Sequence, residues 1–329
     1  MDKQHNRILW IDYLKGICMI SIILNHLDGP DFYGRITYPF ELAGFFFASG
    51  YTFNPRNNFL DFLVAKLKTL VLPIFIFGLI NTLISSFFKE SNIVDRIIGI
   101  IIQVPGKWDD LWFIACLFSM ELIFYFTLKV GRNFMSQWCI YLSLTILGYL
   151  SMTYSSFRFP WHLENACLMI PFMWFGLMLK LQSNQNRNNA SGKTLRICLI
   201  ALSFVVYLSS ILVRKNYPID IHLLDYGEFS LFAISALSGL CLIICLSKFL
   251  ESFKDSILLK FLSFIGINTL VYYAFQSKVI SLIQLLCSGI GFDSKSYCGV
   301  ICCCLIVNVI LIIPAAIIRK YFPYMLGKF

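Results

Sequence analysis

Charge is the scarcest commodity in this sequence. Asp, Glu, Lys and Arg make up 14% of the 329 residues, against about a quarter in ordinary soluble domains. Hydrophobic residues reach 58%, Phe alone contributes 32, and mean hydropathy is +0.74. That balance excludes a soluble globular enzyme, a disordered chain and a nucleic-acid-binding domain. Water cannot accommodate so much apolar surface, whereas a lipid bilayer can. The 12 Cys contain no pair of CxxC motifs, which argues against a zinc site. Cys116, Cys139, Cys167, Cys198, Cys241 and Cys245 lie in apolar runs, where a thiol behaves as a small hydrophobe. The Cys302-Cys303-Cys304 run reads the same way, while Cys287 and Cys298 flank a short loop and are candidates for a bridge. No GxSxG motif occurs in a strand-turn-helix setting. Short-period repeats and long polar stretches are missing too, so no soluble domain is expected. Asp12 and Lys15 interrupt the first apolar run and no small-residue cleavage site follows it, so no cleavable leader is expected.

What is present is a series of long apolar segments. About 20 apolar helical residues cross a hydrocarbon core. Ten segments qualify, near 8–27, 39–53, 70–88, 111–128, 137–155, 164–181, 195–213, 227–247, 258–284 and 298–318. The expected fold is all-α: a polytopic membrane protein of about ten transmembrane helices, forming a single membrane-embedded domain over 1–329. The second segment is short, Gly-rich and aromatic, a candidate for a broken or re-entrant span. Residues 93–104 are too few to span and read as an interfacial helix.

The charges segregate along this map. Lys3 and Arg7, the 54–69 loop with Arg56, Lys66 and Lys68, then Lys129 and Arg132, fall on one side. Lys180, Arg187, Lys193, Arg196, Arg319, Lys320 and Lys328 fall there too. The other side holds Asp28, Asp31, Arg35 and Glu41, then the 89–110, 156–164, 214–228 and 288–297 loops, none of them net basic. Lys and Arg concentrate in cytoplasmic loops, so both termini are expected in the cytoplasm. The net charge of +9 then reflects membrane topology and implies no nucleic-acid partner.

The most informative stretch is WIDYLKGICMISIILNHL at 10–27. A charge inside a membrane helix costs several kcal/mol and normally faces protein or water. At about 100° per residue, Asp12, Lys15 and His26 fall on one narrow face. Asp12 and Lys15, three residues apart, can pair, with His26 about three turns further on. Two meanings stand side by side: a structural ion pair with an interfacial His, or a polar lane ending in a titratable imidazole suited to take a proton from a hydroxyl.

At these residues the sequence resembles a known family. Lys15-x10-His26 is similar to the Arg/Lys-x10-His signature of the membrane acyltransferase-3 family, and the surrounding segment most resembles its fucose 4-O-acetylase-like branch. FFFASGYTF (45–53), AKLKTLVLPIF (65–75), DLWFIACLF (110–118), PFMWFGLMLK (171–180) and FIGINTLVYYAFQ (264–276) resemble further family segments in the family's order. Two positions depart from it: Thr69 stands where a second Arg is often found, and Gln276 where many relatives carry His. The resemblance implies a multi-pass O-acyltransferase of the bacterial inner membrane. It would take acetyl from cytoplasmic acetyl-CoA, with no permanently bound cofactor. The acceptor would be a sugar hydroxyl of a cell-surface polysaccharide such as O-antigen, or of its lipid-linked precursor.

The resemblance also assigns the catalytic role to His26. Asp12 and Lys15 are expected to shape the lane, and Glu121, a lone carboxylate in the fourth span, to face its interior with His26 or Lys15 as partner. Lys66 and Lys68 are candidates for the phosphates of coenzyme A, or ordinary cytoplasmic loop charge. Ser49 and Gly50 are candidates for backbone N–H donors to an oxyanion, or for close helix packing. Trp108 and Trp112 read as interfacial aromatics and Asn268 as an interhelical hydrogen-bonder. Arg158, His162, Asp220 and His222, in outer loops, are candidates for sugar contacts. A rival function with the same spans and polar lane is a transporter or flippase for a polysaccharide or lipid-linked sugar. A transporter would more often show inverted repeats.

Overall fold

The computed structural model describes residues 7–55, 58–87, 92–106, 110–185, 193–213 and 219–328. Lys3, Arg56, Trp108 and Arg187, together with the side chains of Lys193 and Arg196, lie outside the described residues. Fourteen α-helices follow one another, with no β-ladder among the described residues beyond the isolated bridge Asp220–Asp225. They are α1 (Leu9–Asn25), α2 (Asp31–Thr52), α3 (Phe59–Lys66), α4 (Leu72–Phe87), α5 (Ile93–Ile102), α6 (Trp112–Val130) and α7 (Phe134–Tyr154). Then come α8 (Leu163–Gln185), α9 (Lys193–Val213), α10 (Phe229–Leu250), α11 (Ile257–Ile267), α12 (Thr269–Gly289), α13 (Tyr297–Ile310) and α14 (Ile312–Tyr321).

Each of the ten apolar segments falls on helix. Among the described residues, six helical stretches are long and apolar enough to cross a membrane: 59–87, 112–130, 160–183, 229–253, 269–289 and 297–321. The residues that face outward agree. On α4, Phe75, Leu79, Leu83 and Phe87 form an exposed stripe at i, i+4 spacing, while Asn81, Thr82 and Ser85 are buried. That is the inverse of a soluble amphipathic helix and is what lipid outside and protein inside demand.

Three segments differ from the sequence expectation. The second is neither short nor broken: α2 runs unbroken for 22 residues with Pro39 inside it. It begins at Asp31, so Arg35 and Glu41 are helical and Glu41 is only 3% exposed. The supposed 54–69 loop is largely helix, because α3 passes through a π-helical turn at Leu67–Val71 directly into α4. Its Lys residues were mistaken for loop charges because a basic cluster before a proline resembles a span boundary. The ninth segment is two helices, with α11 ending and α12 beginning at Asn268. The Asn268 amide donates to the Phe264 carbonyl (2.8 Å), so it bonds within its own helix end. The short segment at 93–104 is the ten-residue α5.

The chain divides into two compact units. Unit 1 comprises residues 1–48, 181–218 and 227–315; unit 2 comprises 49–180, 219–226 and 316–329. In unit 1, α1 packs chiefly on α11 and also on α10, α12 and α13. Glycine lets α1 and α11 touch: a Cβ on Gly266 would overlap the Asp12 carbonyl, and one on Gly16 the Leu262 carbonyl. Glu228 caps α10, its carboxylate accepting from the Leu231 N–H (2.8 Å) and the Ser230 hydroxyl. These bonds, from the Ser230 hydroxyl first, hold its pKa below the usual Glu value.

In unit 2, α4 packs on α5, and α6 packs on the π-turn and on the 160–162 turn. The C-terminal 3-10 turn Pro323–Leu326 rests on α4 and on the π-turn. There Gly327, at φ +69°, lies against the Lys68 carbonyl. All twelve cysteines are free thiols, and the candidate Cys287–Cys298 bridge is not formed. Cys287 instead faces Cys303 within the apolar interior (Sγ–Sγ 3.8 Å), while Cys298 is exposed.

Candidate functional site

In unit 1 the polar residues are strung along α1. Asp12 is 7% exposed and held by two cations: Arg7 Nε at 2.6 Å and Lys15 Nζ at 3.4 Å. Arg7 also donates to Ser263 Oγ on α11 (3.0 Å). The i, i+3 geometry therefore brings Asp12 and Lys15 together, and Arg7 completes a cluster of one net positive charge. Arg7 escaped notice as a site residue because it precedes the helix and looks like an ordinary flanking charge.

His26 stands about 16 Å further along, from eleven residues at about 1.5 Å rise. It is the C-cap of α1 and is exposed. Its Nδ1 lies 2.8 Å from the Ile22 carbonyl. A carbonyl only accepts, so Nδ1 carries the hydrogen and Nε2 carries the lone pair of the neutral ring. The residue before it, Asn25, donates to Glu41 Oε2 (2.6 Å) and exchanges hydrogen bonds with Thr37. Glu41 was assigned to an outer loop by the sequence, and its burial was legible only once α2 was known to begin at Asp31. A cavity of about 190 Å³ opens beside Asn25 and Asp28, the residues that bracket His26 and Leu27.

In unit 2 the carboxylate of Glu121, 5% exposed on α6, meets Lys66 Nζ at 2.5 Å. Its partner is thus Lys66 and not His26 or Lys15. The ammonium also lies near the rings of Phe62 (5.6 Å) and Phe53 (6.0 Å), a favourable setting for a desolvated cation. Lys66 is the last residue of α3, immediately before the π-turn. Such turns often mark functional positions in helices. The pair borders a cavity of about 260 Å³ lined also by Ser49, Thr52, Asn54 and Thr69. Lys68 is exposed on the π-turn.

The Ser49 and Gly50 N–H groups belong to the unbroken α2, where the helix's own ladder consumes them. They are not oxyanion donors. Gly50 instead lets α2 approach α8, since a Cβ there would overlap the Met173 carbonyl.

Near Trp112 a ring cluster forms with His162 at 5.0 Å and His222 at 5.4 Å, the two imidazoles 5.7 Å apart. Trp112 therefore belongs to a packed cluster and is more than an interfacial aromatic. His162 is fully buried, which removes it from sugar contact. It and Trp161 adopt positive φ (49° and 59°), a conformation that costs bulky residues energy. Ser119 Oγ holds the Trp161 carbonyl at 2.9 Å. Asn165 ties the segment to the 219–226 loop. Its Oδ1 accepts from Tyr226 (2.6 Å), while its Nδ2 donates to the Ile221 carbonyl (2.9 Å) and lies 3.3 Å from His162 Nδ1. Burial raises the Tyr226 hydroxyl above its usual pKa. Arg158 donates to the Ser155 carbonyl (3.0 Å), and Asp220 accepts from the Leu223 N–H (3.2 Å). Among the described residues no group of three or more His, Cys, Asp or Glu is placed to hold a metal ion.

The family model described as an acyltransferase domain, that of acyltransferase-3, matches residues 8–317. The chain belongs to this family. No curated protein and no solved structure matches it. Family and apolar helices together define a multi-pass membrane acyltransferase.

Proposed function

We propose that the protein is an O-acetyltransferase, of the fucose 4-O-acetylase-like branch, that moves acetyl from cytoplasmic acetyl-CoA to a sugar hydroxyl. The acceptor belongs to a cell-surface polysaccharide or its lipid-linked precursor, as in O-antigen, and the membrane is a bacterial inner membrane. The ten helical segments span it, with both termini in the cytoplasm. The observation that carries this is the His26 ring, whose Nδ1–H is committed to a backbone carbonyl. In the neutral ring this leaves the lone pair on Nε2, which supports a role for that atom as the base.

In this mechanism Nε2 takes the proton of the acceptor hydroxyl as its oxygen attacks the thioester carbonyl. The tetrahedral intermediate collapses, the carbon–sulfur bond breaks, and the departing thiolate recovers the proton. The Arg7–Asp12–Lys15 cluster sets the field along α1, with its net positive charge at the cytoplasmic end. Lys68, exposed, suits the donor's phosphates. Lys66 is already paired, so it and Glu121 supply a balanced polar wall to their cavity, with the Ser49 hydroxyl beside them.

The test is transfer of radiolabel from acetyl-CoA to surface glycan in membranes carrying the wild type or His26→Ala. Loss of label in the variant, with protein level unchanged, is expected. Label that survives would remove the catalytic assignment. The helix break at Asn268 is a feature transporters share; no label in either membrane, with glycan export lost on deletion, would favour that rival.

A further inference from the structure

We propose that the cavity at the end of α1 is an acceptor subsite that takes one uncharged or amine-bearing sugar ring and discriminates against sugars carrying a carboxylate. It rests on the transferase function proposed above and adds the acceptor's size and charge class.

The cavity measures about 190 Å³ and is lined by Asn25, Asp28, Asp31, Tyr33 and Tyr38, with Leu24 and Gly29 among the residues that close it. A partly open cavity of this size has room for one sugar ring. Its walls are built and not a chance fold of loop. Asp28 adopts φ +51°, a left-handed conformation that Asp tolerates better than most residues. It turns the chain sharply between His26 and the start of α2. Gln284 on α12 donates to the Leu27 carbonyl (3.2 Å), and Tyr33 donates to the Tyr297 carbonyl (2.9 Å). The rings of Phe32, Tyr33 and Tyr297 pack edge to face. A Cβ on Gly29 would overlap Val300 of α13.

Behind the cavity, the buried Glu41 and Thr37 fix the Asn25 amide. A carboxylate so far from water is costly. Here it keeps one side chain of the cavity wall in a single orientation.

The lining has the two kinds of group that a pyranose ring needs. Tyrosine rings offer faces to its C–H surfaces, and carboxylate and amide oxygens accept from its hydroxyls. The charged side chains that line it are two carboxylates, Asp28 and Asp31, with Lys295 3.8 Å from Asp28 on the opposing loop. The lining itself is therefore acidic. A uronate would bring a further carboxylate against it, whereas a neutral ring pays no such penalty and an ammonium gains.

Two measurements test this. Methyl hexopyranoside and the matching methyl hexuronate are offered as acceptors of labelled acetyl in membranes carrying wild type or Asp28→Lys/Asp31→Lys. Saturation-transfer NMR of both glycosides is recorded on the full-length solubilised protein, wild type, Asp31→Asn and Tyr38→Ala. The neutral glycoside is expected to bind and accept at least tenfold better, with the double charge reversal closing that gap. Tyr38→Ala should abolish saturation, while Asp31→Asn, which keeps an acceptor oxygen and loses the charge, should narrow the preference for the neutral glycoside. Equal use of the hexuronate by the wild type, or a ratio unmoved by charge reversal, would overturn the proposal. Saturable binding of the neutral glycoside that Tyr38→Ala removes, without any label transfer, keeps the subsite and sinks the transferase function. Label transfer to native glycan with no glycoside binding does the reverse.

Discussion

Asp12 and Glu121 are both buried carboxylates on apolar helices, yet they are neutralised in opposite ways. Asp12 draws its cations from its own chain neighbourhood, three residues ahead and five behind. Glu121 takes one cation from a residue 55 positions away, at a distorted turn of another helix. The first arrangement leaves a net positive charge and partly exposed cations at a helix end. The second is balanced in charge and borders a cavity. A local, over-compensated cluster suits electrostatic work on a ligand, while a distant, balanced pair suits holding helices together.

The comparison is sharpened most by separating activity from stability. His26→Ala should lower acetyl transfer by about 100- to 10,000-fold, the usual contribution of a general base, with the melting temperature unchanged. A parallel loss of both would break the division of labour. Next in size, Lys66→Met should cost about 3–5 kcal/mol, because it strands a buried carboxylate. Thermal unfolding in detergent reads this, and Lys66→Met/Glu121→Leu should recover most of the loss. If the double variant is as unstable as the single, a stranded carboxylate is not the cause of the loss. Gly266→Ala should cost about 1–3 kcal/mol by forcing α11 off the Asp12 backbone. Arg7→Ala is the mildest change. Its side chain is 45% exposed, so about 0–1 kcal/mol of stability is at stake, and any larger effect should fall on transfer.

The same contrast explains what the sequence could reveal. The Asp12–Lys15 pair on α1 was legible because helical spacing alone brings residues three apart together. The all-helical fold was legible from the apolar segments, and among the described residues six stretches are long enough to span. Glu121 was recognisable as interior, but its partner was not, since pairing across helices depends on packing that no local spacing encodes. Lys66 and Lys68 were assigned to a loop because lysines and a nearby proline are also how a span boundary looks. Glu41 was given to solvent for the same reason, an early polar start to α2 being indistinguishable from a loop. Asn268 lay inside one unbroken apolar run, and nothing in hydropathy marks a break at an amide. Oxyanion donors at Ser49 and Gly50 required a broken second span, and the continuity of α2 removes them.

The π-turn at Leu67–Val71 has one further consequence. It stores a surplus residue in the middle of a 29-residue stretch. Removing one residue elsewhere in such a rod would rotate everything beyond it by about 100° and swap lipid-facing for interior side chains. Removing one within the bulge would merely relax it to ordinary α-helix and let the downstream phase be absorbed where slack already exists. Single-residue length variation in this rod should therefore collect between Lys66 and Val71, making that short interval the place where the helix tolerates drift in its register.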